Sequence, residues 1–179
     1  RHGVGEDGRG LVIMPAQYFN KIGDSDLGAI IAYLKNLPLV DNELPSTSLG
    51  PLGRIISLIE SEITPVRMID HDAPRPPEVV PEVTAKYGEY RAITCTVCHG
   101  DNLTGGTTPS EERAEAPNIT ASGVLRVYTA AHFLTALRTG VARSGRELDN
   151  ELMPWKRLGQ MTDDELKAIY LYLQSLTGT

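Results

Sequence analysis

One five-residue segment, Cys95-Thr96-Val97-Cys98-His99, constrains this chain more than any other feature of it. Both cysteines of the sequence lie there, so no disulfide framework staples the fold. Two cysteines three apart on a helical turn can present their thiols to the two vinyl groups along one porphyrin edge. The histidine that follows at once can project its imidazole over the iron. This is the attachment pattern of haem c, with His99 as the proximal nitrogen ligand. A structural zinc site needs four ligands, and a second cysteine pair is missing. A thioredoxin-like redox pair needs a βαβ setting, which the rest of the chain does not offer.

Around that segment the chain reads as helix and loop. Leu27, Ile30, Ile31, Leu34 and Leu37 recur at helical spacing behind Asp24 and Ser25, and Pro38 stops the run. Leu52, Ile55, Ile56, Ile59 and Ile63 repeat the pattern between Pro51 and Pro65. Val83, Tyr87 and Tyr90 mark a helix that feeds into the cysteines, and a weaker helix covers Thr129 to Arg138. Leu166, Ile169, Tyr170, Leu173 and Leu176 form a strongly amphipathic last helix, with Thr162 and Glu165 placed as its capping box. No convincing alternating strand pattern occurs, so the expected fold is all-α with long loops. Residues 71–81 read as a proline-stiffened connector and residues 100–123 as a loop rich in Gly, Thr, Pro and Asn.

Hydrophobic residues make up 41% and charged residues 22% of the chain, the balance of a soluble globular protein. No apolar run approaches the roughly 18 residues of a membrane span, and the polar, Gly-rich opening is not a signal peptide. A net charge of −6 without a basic stripe argues against a nucleic-acid partner. An acidic surface fits steering toward basic partners.

The chain also repeats itself. Met14-Pro15 and Met153-Pro154 are each followed, thirteen residues after the methionine, by an equivalent leucine, Leu27 or Leu166. From there Ala29, Ile30, Tyr33, Leu34 and Leu37 match Ala168, Ile169, Tyr172, Leu173 and Leu176 without a gap. Upstream, Arg1, Gly3 and Val4 match Arg138, Gly140 and Val141, with two residues inserted in the second copy. If the copies are alike in length, the cysteine segment of the first belongs about forty residues before Arg1.

Met153 is the candidate sixth ligand. It sits in a turn stiffened by Pro154, and Trp155 is expected to pack on the porphyrin. A thioether raises the reduction potential relative to bis-histidine ligation, and closure of both faces favours electron transfer over catalysis. The carbonyl of Pro117, in Ala116-Pro117-Asn118, is a candidate to accept the Nδ1–H of His99 and orient the ring. His132 reads as surface-exposed, His71 as solvated and His2 as an ordinary loop residue. Met68 and Met161 read as packing.

Residues 82–179 resemble a class I cytochrome c domain. The resemblance is carried by Gly88-Glu89-Tyr90, Cys95-Thr96-Val97-Cys98-His99-Gly100, Ala116-Pro117-Asn118, Leu137-Arg138-Thr139-Gly140-Val141, Met153-Pro154-Trp155 and the last helix with Tyr172. It implies an all-α fold wrapped around a covalently bound haem c, with Pro117 supporting His99 and Met153 on the distal side. It also implies a crossing of the first and last helices that pairs Gly88 and Tyr90 with Tyr172. Residues 1–45 resemble the distal half of a second such domain, followed by a linker over 46–81 with one helix and the proline-rich connector. The parent then resembles a tandem dihaem cytochrome c, and Met14 is the candidate axial ligand of a second haem.

The resemblance implies electron transfer between redox partner proteins, as a shuttle or as the cytochrome component of a respiratory or photosynthetic complex. Attachment of haem c outside the cytoplasm implies a periplasmic or otherwise extracytoplasmic protein, and is compatible with a membrane anchor upstream of Arg1. The alternative is a dihaem redox enzyme acting on a small sulfur compound such as thiosulfate, its exchangeable ligand supplied by the first domain. A haem-based gas sensor is a third class, and it requires Met153 to detach readily.

Overall fold

The computed structural model describes residues 1–12, 14–42, 49–59, 65–108 and 114–177. They form two compact units, Arg1–Glu78 and Val79–Thr179. Among the described residues no helix is long and apolar enough to cross a membrane.

The second unit is built from helices whose ends the sequence specifies. Helix α4 (Ala85–Arg91) starts at Thr84, whose hydroxyl accepts from the Tyr87 amide at 3.2 Å. It continues through a 3₁₀ turn (Ala92–Cys95) into α5 (Thr96–His99), where Gly100 ends the run with φ +76°. Helix α6 (Ala130–Thr139) begins at a reciprocal cap between Thr129 and His132 and ends at the left-handed Gly140. A single turn, α7 (Trp155–Leu158), precedes α8 (Asp163–Ser175). The α8 cap is also reciprocal: Thr162 N donates to Glu165 Oε2 at 2.7 Å, and Glu165 N donates to Thr162 Oγ1 at 3.2 Å.

Helices α4 and α8 cross at a point only glycine permits. A Cβ on Gly88 would run into the Ala168 carbonyl and come within 2.9 Å of Tyr172 Cβ. That close approach seals Leu166, Ala168, Ile169 and Leu173 inside. Ala92, Leu103 and Leu125 complete the core, with Phe133, Tyr172 and Cys95 packed around it. Each fully buried leucine stabilises the unit by about 1.5–3 kcal/mol.

The loop after the cysteines departs from expectation. It contains a two-residue antiparallel ladder, β1 (Gly106–Thr107) with β2 (Glu115–Ala116). Two residues are too few to show an alternating pattern, so the ladder leaves no trace in the sequence. Its position matters, because a Cβ on Gly106 would stand 2.7 Å from the Cys98 carbonyl oxygen. The ladder lies directly against the cysteine segment.

The first unit holds α1 (Ala16–Phe19), α2 (Asp24–Lys35), α3 (Pro51–Ile59) and a 3₁₀ turn over Pro65–Met68. Its connector is tied back to the start of α2. Glu78 accepts from Ser25 N at 2.9 Å and Ser25 Oγ at 2.5 Å, and Arg75 pairs with Asp24 at 2.9 Å. Those bonds hold the carboxyl of Glu78 below its ordinary range. The apolar face of α2 is not covered: Ile30, Ile31, Leu34 and Leu37 are all exposed. Leu52, Ile55, Ile56 and Ile59 on α3 are exposed as well, and Ile63 lies outside the described residues.

The repeat seen in the sequence extends to the hydrogen bonds. Leu11 N donates to Gly3 O at 2.7 Å, and Leu148 N to Gly140 O at 2.7 Å. Bridges Val4–Gly10 and Val141–Glu147 correspond. Ala16 N donates to Met14 O at 2.7 Å, and Trp155 N to Met153 O at 2.6 Å. Pro15 and Pro154 adopt nearly the same backbone, φ −76°, ψ 56° against φ −73°, ψ 59°. Arg1 bridges the Asn20 carbonyl to Asp24, as Arg138 bridges the Gly159 carbonyl to Asp163. One backbone design is therefore built twice.

Candidate haem site

Cys95 closes the 3₁₀ turn after α4, and Cys98 and His99 stand on α5, so the three follow one another along a continuous helical path. Both cysteines are free thiols. Burial pushes the Cys95 thiol up to about 11, with a hydrogen bond from Thr94 opposing and the neighbouring Cys98 adding to the rise. Burial raises Cys98 too. Both sulfurs are therefore uncharged thiols at neutral pH.

His99 is buried, and its Nδ1 lies 2.8 Å from the Pro117 carbonyl oxygen. A carbonyl only accepts, so Nδ1 carries the proton and Nε2 keeps its lone pair. Burial lowers the pKa of the ring, outweighing the opposing hydrogen bond to Pro117, and holds the imidazole in the neutral form that a metal requires.

The Pro117 carbonyl is itself fixed in place. Ile119 N donates to Leu103 O at 3.0 Å, and Val124 N donates to Asn118 O at 2.9 Å. Asn118 Oδ1 accepts from both the amide and the hydroxyl of Thr120 at 2.8 Å. Thr120 and Leu103 are buried, and Leu103 adopts a positive φ of 59° that non-glycine residues rarely take. Leu103, Gly106 and Thr120 thus support the site without having been singled out in the sequence, alongside Asn118 of the Ala116-Pro117-Asn118 motif. Only the Asn118-x-Thr120 turn carried a local signal.

Met153 stands on a separate strap between α6 and α7 and is half-buried. Its amide donates to Asp149 O at 2.8 Å. The Trp155 indole lies on Gly140, where any Cβ would fall inside the ring, and Nε1 donates to Leu148 O at 3.0 Å. The contacts this tryptophan makes therefore clamp the Met153 strap to the hairpin after α6. Met14 occupies the equivalent turn of the first unit and is exposed.

The other histidines and methionines have local roles. His132 caps α6, accepting from Thr129 N at 3.2 Å. His71 is exposed but partnered: Nε2 lies 2.9 Å from Val66 O, and the ring stacks on His2 at 5.3 Å between centroids. Met161 packs on the core. Met68 does not; it is exposed, because it ends a short 3₁₀ turn of which only Pro65 is buried.

These residues fit haem c: two free sulfurs at attachment spacing, and a buried neutral imidazole with its lone pair free on Nε2. Such a haem supplies one-electron iron chemistry. An all-α fold carrying this site defines a cytochrome c domain. Residues 81–173, over half of the chain, match the family described as cytochrome c oxidase, cbb3-type, subunit III, and the chain belongs to that family. Its function is haem-based electron transfer between redox partners. No curated protein matches the chain in sequence.

Proposed function

We propose that His99 and Met153 are the two axial ligands of this haem, and that the chain is the cytochrome component of an extracytoplasmic respiratory complex. The observation that carries the reading is the 2.8 Å bond between His99 Nδ1 and the Pro117 carbonyl, which leaves Nε2 as the one free lone pair of a buried imidazole. A second, clamped strap presenting a half-buried thioether supports Met153 as the opposite ligand. Cys95 and Cys98 hold the group covalently, and Trp155 holds the strap.

The same reading makes the first unit the distal half of a preceding cytochrome module, with Met14 as the axial ligand of a second haem. The duplicated hydrogen bonds support it. So does the bare face of α2: its counterpart in the second unit, Leu166, Ala168, Ile169 and Leu173, is fully covered by packing that includes α4.

Met153→Ala tests the first assignment. The expected result is loss of the low-spin spectrum, a lowered potential and binding of added ligands; an unchanged spectrum refutes Met153 as ligand. The intact mass of the natural protein counts the haems. One haem per molecule would remove the tandem reading and leave His99 and Met153 untouched.

A further inference from the structure

Although the chain is acidic as a whole, the stretch that includes the Met153 strap is rich in cations. Residues 126–157 hold six of them against three acids, Glu147, Asp149 and Glu151. Arg138 is paired with Asp163. The other five, Arg126, Arg143, Arg146, Lys156 and Arg157, form no ion pair among the described residues.

The fold gathers these five on one continuous substructure. Arg143 and Arg146 occupy the tip of the hairpin closed by the Val141–Glu147 bridge. The Arg143 amide accepts its place from Tyr128, donating to that hydroxyl at 2.9 Å, which sets the tip beside the turn bearing Arg126. Leu148, at the base of the same hairpin, accepts from Trp155, so Lys156 and Arg157 follow directly from that contact. Exposed Val124 and Val127 stand on the same turn as Arg126, and exposed Val141 precedes Arg143 by two residues. Exposed apolar residues together with arginine suit a protein-docking surface, where arginine is enriched.

The fold does not require this charge, because the first copy builds the same hairpin and turn without it. At the positions of Arg143, Arg146, Lys156 and Arg157 it has Glu6, Arg9, Gln17 and Tyr18, and its Arg9 is neutralised by Asp7 at 2.5 Å.

We propose that this lobe of the second unit docks the acidic face of a redox partner protein, and that the local field, not the net charge of −6, steers the encounter. The proposal rests on the reading that the Met153 strap covers the haem. Partner approach at this lobe then brings the donor or acceptor to the haem's distal side.

The test uses the reduced holoprotein in stopped flow, with ferricyanide as an anionic one-electron oxidant. Raising ionic strength from about 10 to about 200 mM should slow the ferricyanide reaction, where a uniformly acidic surface would speed it. The double variant Arg143→Glu, Arg146→Glu should lose on the order of tenfold in that rate at low salt and reverse its salt dependence, with an unchanged absorption spectrum. Polyglutamate, as a stand-in for an acidic protein face, should shift amide resonances of residues 126–157 in the unaltered protein and not in the variant. A ferricyanide rate that rises with salt, or polyglutamate shifts outside this lobe, would overturn the proposal. A failed ligand assignment shows instead in the spectrum of Met153→Ala, so the two readings fail separately.

Discussion

Replacing Gly88 with alanine adds one methyl at the tightest point of the second unit. Its carbon would overlap the Ala168 carbonyl and press on Tyr172 Cβ, both on the α8 backbone or at its root, where no side-chain rotation gives relief. The helices must separate, which loosens the packing of Leu166, Ile169 and Leu173. Overpacking of this kind costs about 3 kcal/mol, and better helix propensity returns about 1 kcal/mol. The net loss of about 2 kcal/mol corresponds to a Tm lower by about 8 °C for a unit of this size. The assay is thermal unfolding followed in the Soret band, which reports the surroundings of the haem held at Cys95 and Cys98. Gly28→Ala is the control: it too is a helical glycine, on α2, but nothing lies within 4 Å of the added carbon. It should stabilise the first unit by up to about 1 kcal/mol, read by far-ultraviolet circular dichroism. If Gly88→Ala unfolds at the temperature of the unaltered protein, the glycine-dependent crossing is wrong.

Thr162→Ala removes the hydroxyl that caps the Glu165 amide, leaving the bond from the residue-162 amide to Glu165 Oε2, and should cost about 1 kcal/mol, seen as a Soret-detected Tm about 4 °C lower. Acid should destabilise the second unit through two carboxylates. Burial pushes Glu165 up, but the Thr162 amide, the Arg91 guanidinium and the Thr162 and Tyr87 hydroxyls together hold it below its ordinary value. A hydrogen bond from Arg138 lowers Asp163. With folded pKa values below the unfolded ones, their stabilisation is present above about pH 4.5 and is lost as the pH falls through the folded values. Urea midpoints measured between about pH 6 and pH 3 should fall accordingly, and Glu165→Gln should flatten the dependence.

The chemistry of this protein is written locally. Cysteines three apart with histidine adjacent fix the attachment site because one helical turn sets their geometry, whatever surrounds them. The capping box at Thr162 and the apolar spacing of α8 are likewise short-range, and the helix begins where those residues place it. The repeat was legible for the same reason: matching turns such as Met14-Pro15 and Met153-Pro154 need matching residues. Tertiary structure decided what depends on distant partners. The imidazole of His99 owes its tautomer to a carbonyl 18 residues away, held by Leu103, Asn118 and Thr120 through bonds that leave little periodic trace. Trp155 found its place on Gly140 and Leu148. The helices α2 and α8 have nearly the same apolar pattern, yet one face is bare and the other sealed. A helical pattern states which face is apolar, and only the packing of another element decides whether that face is covered.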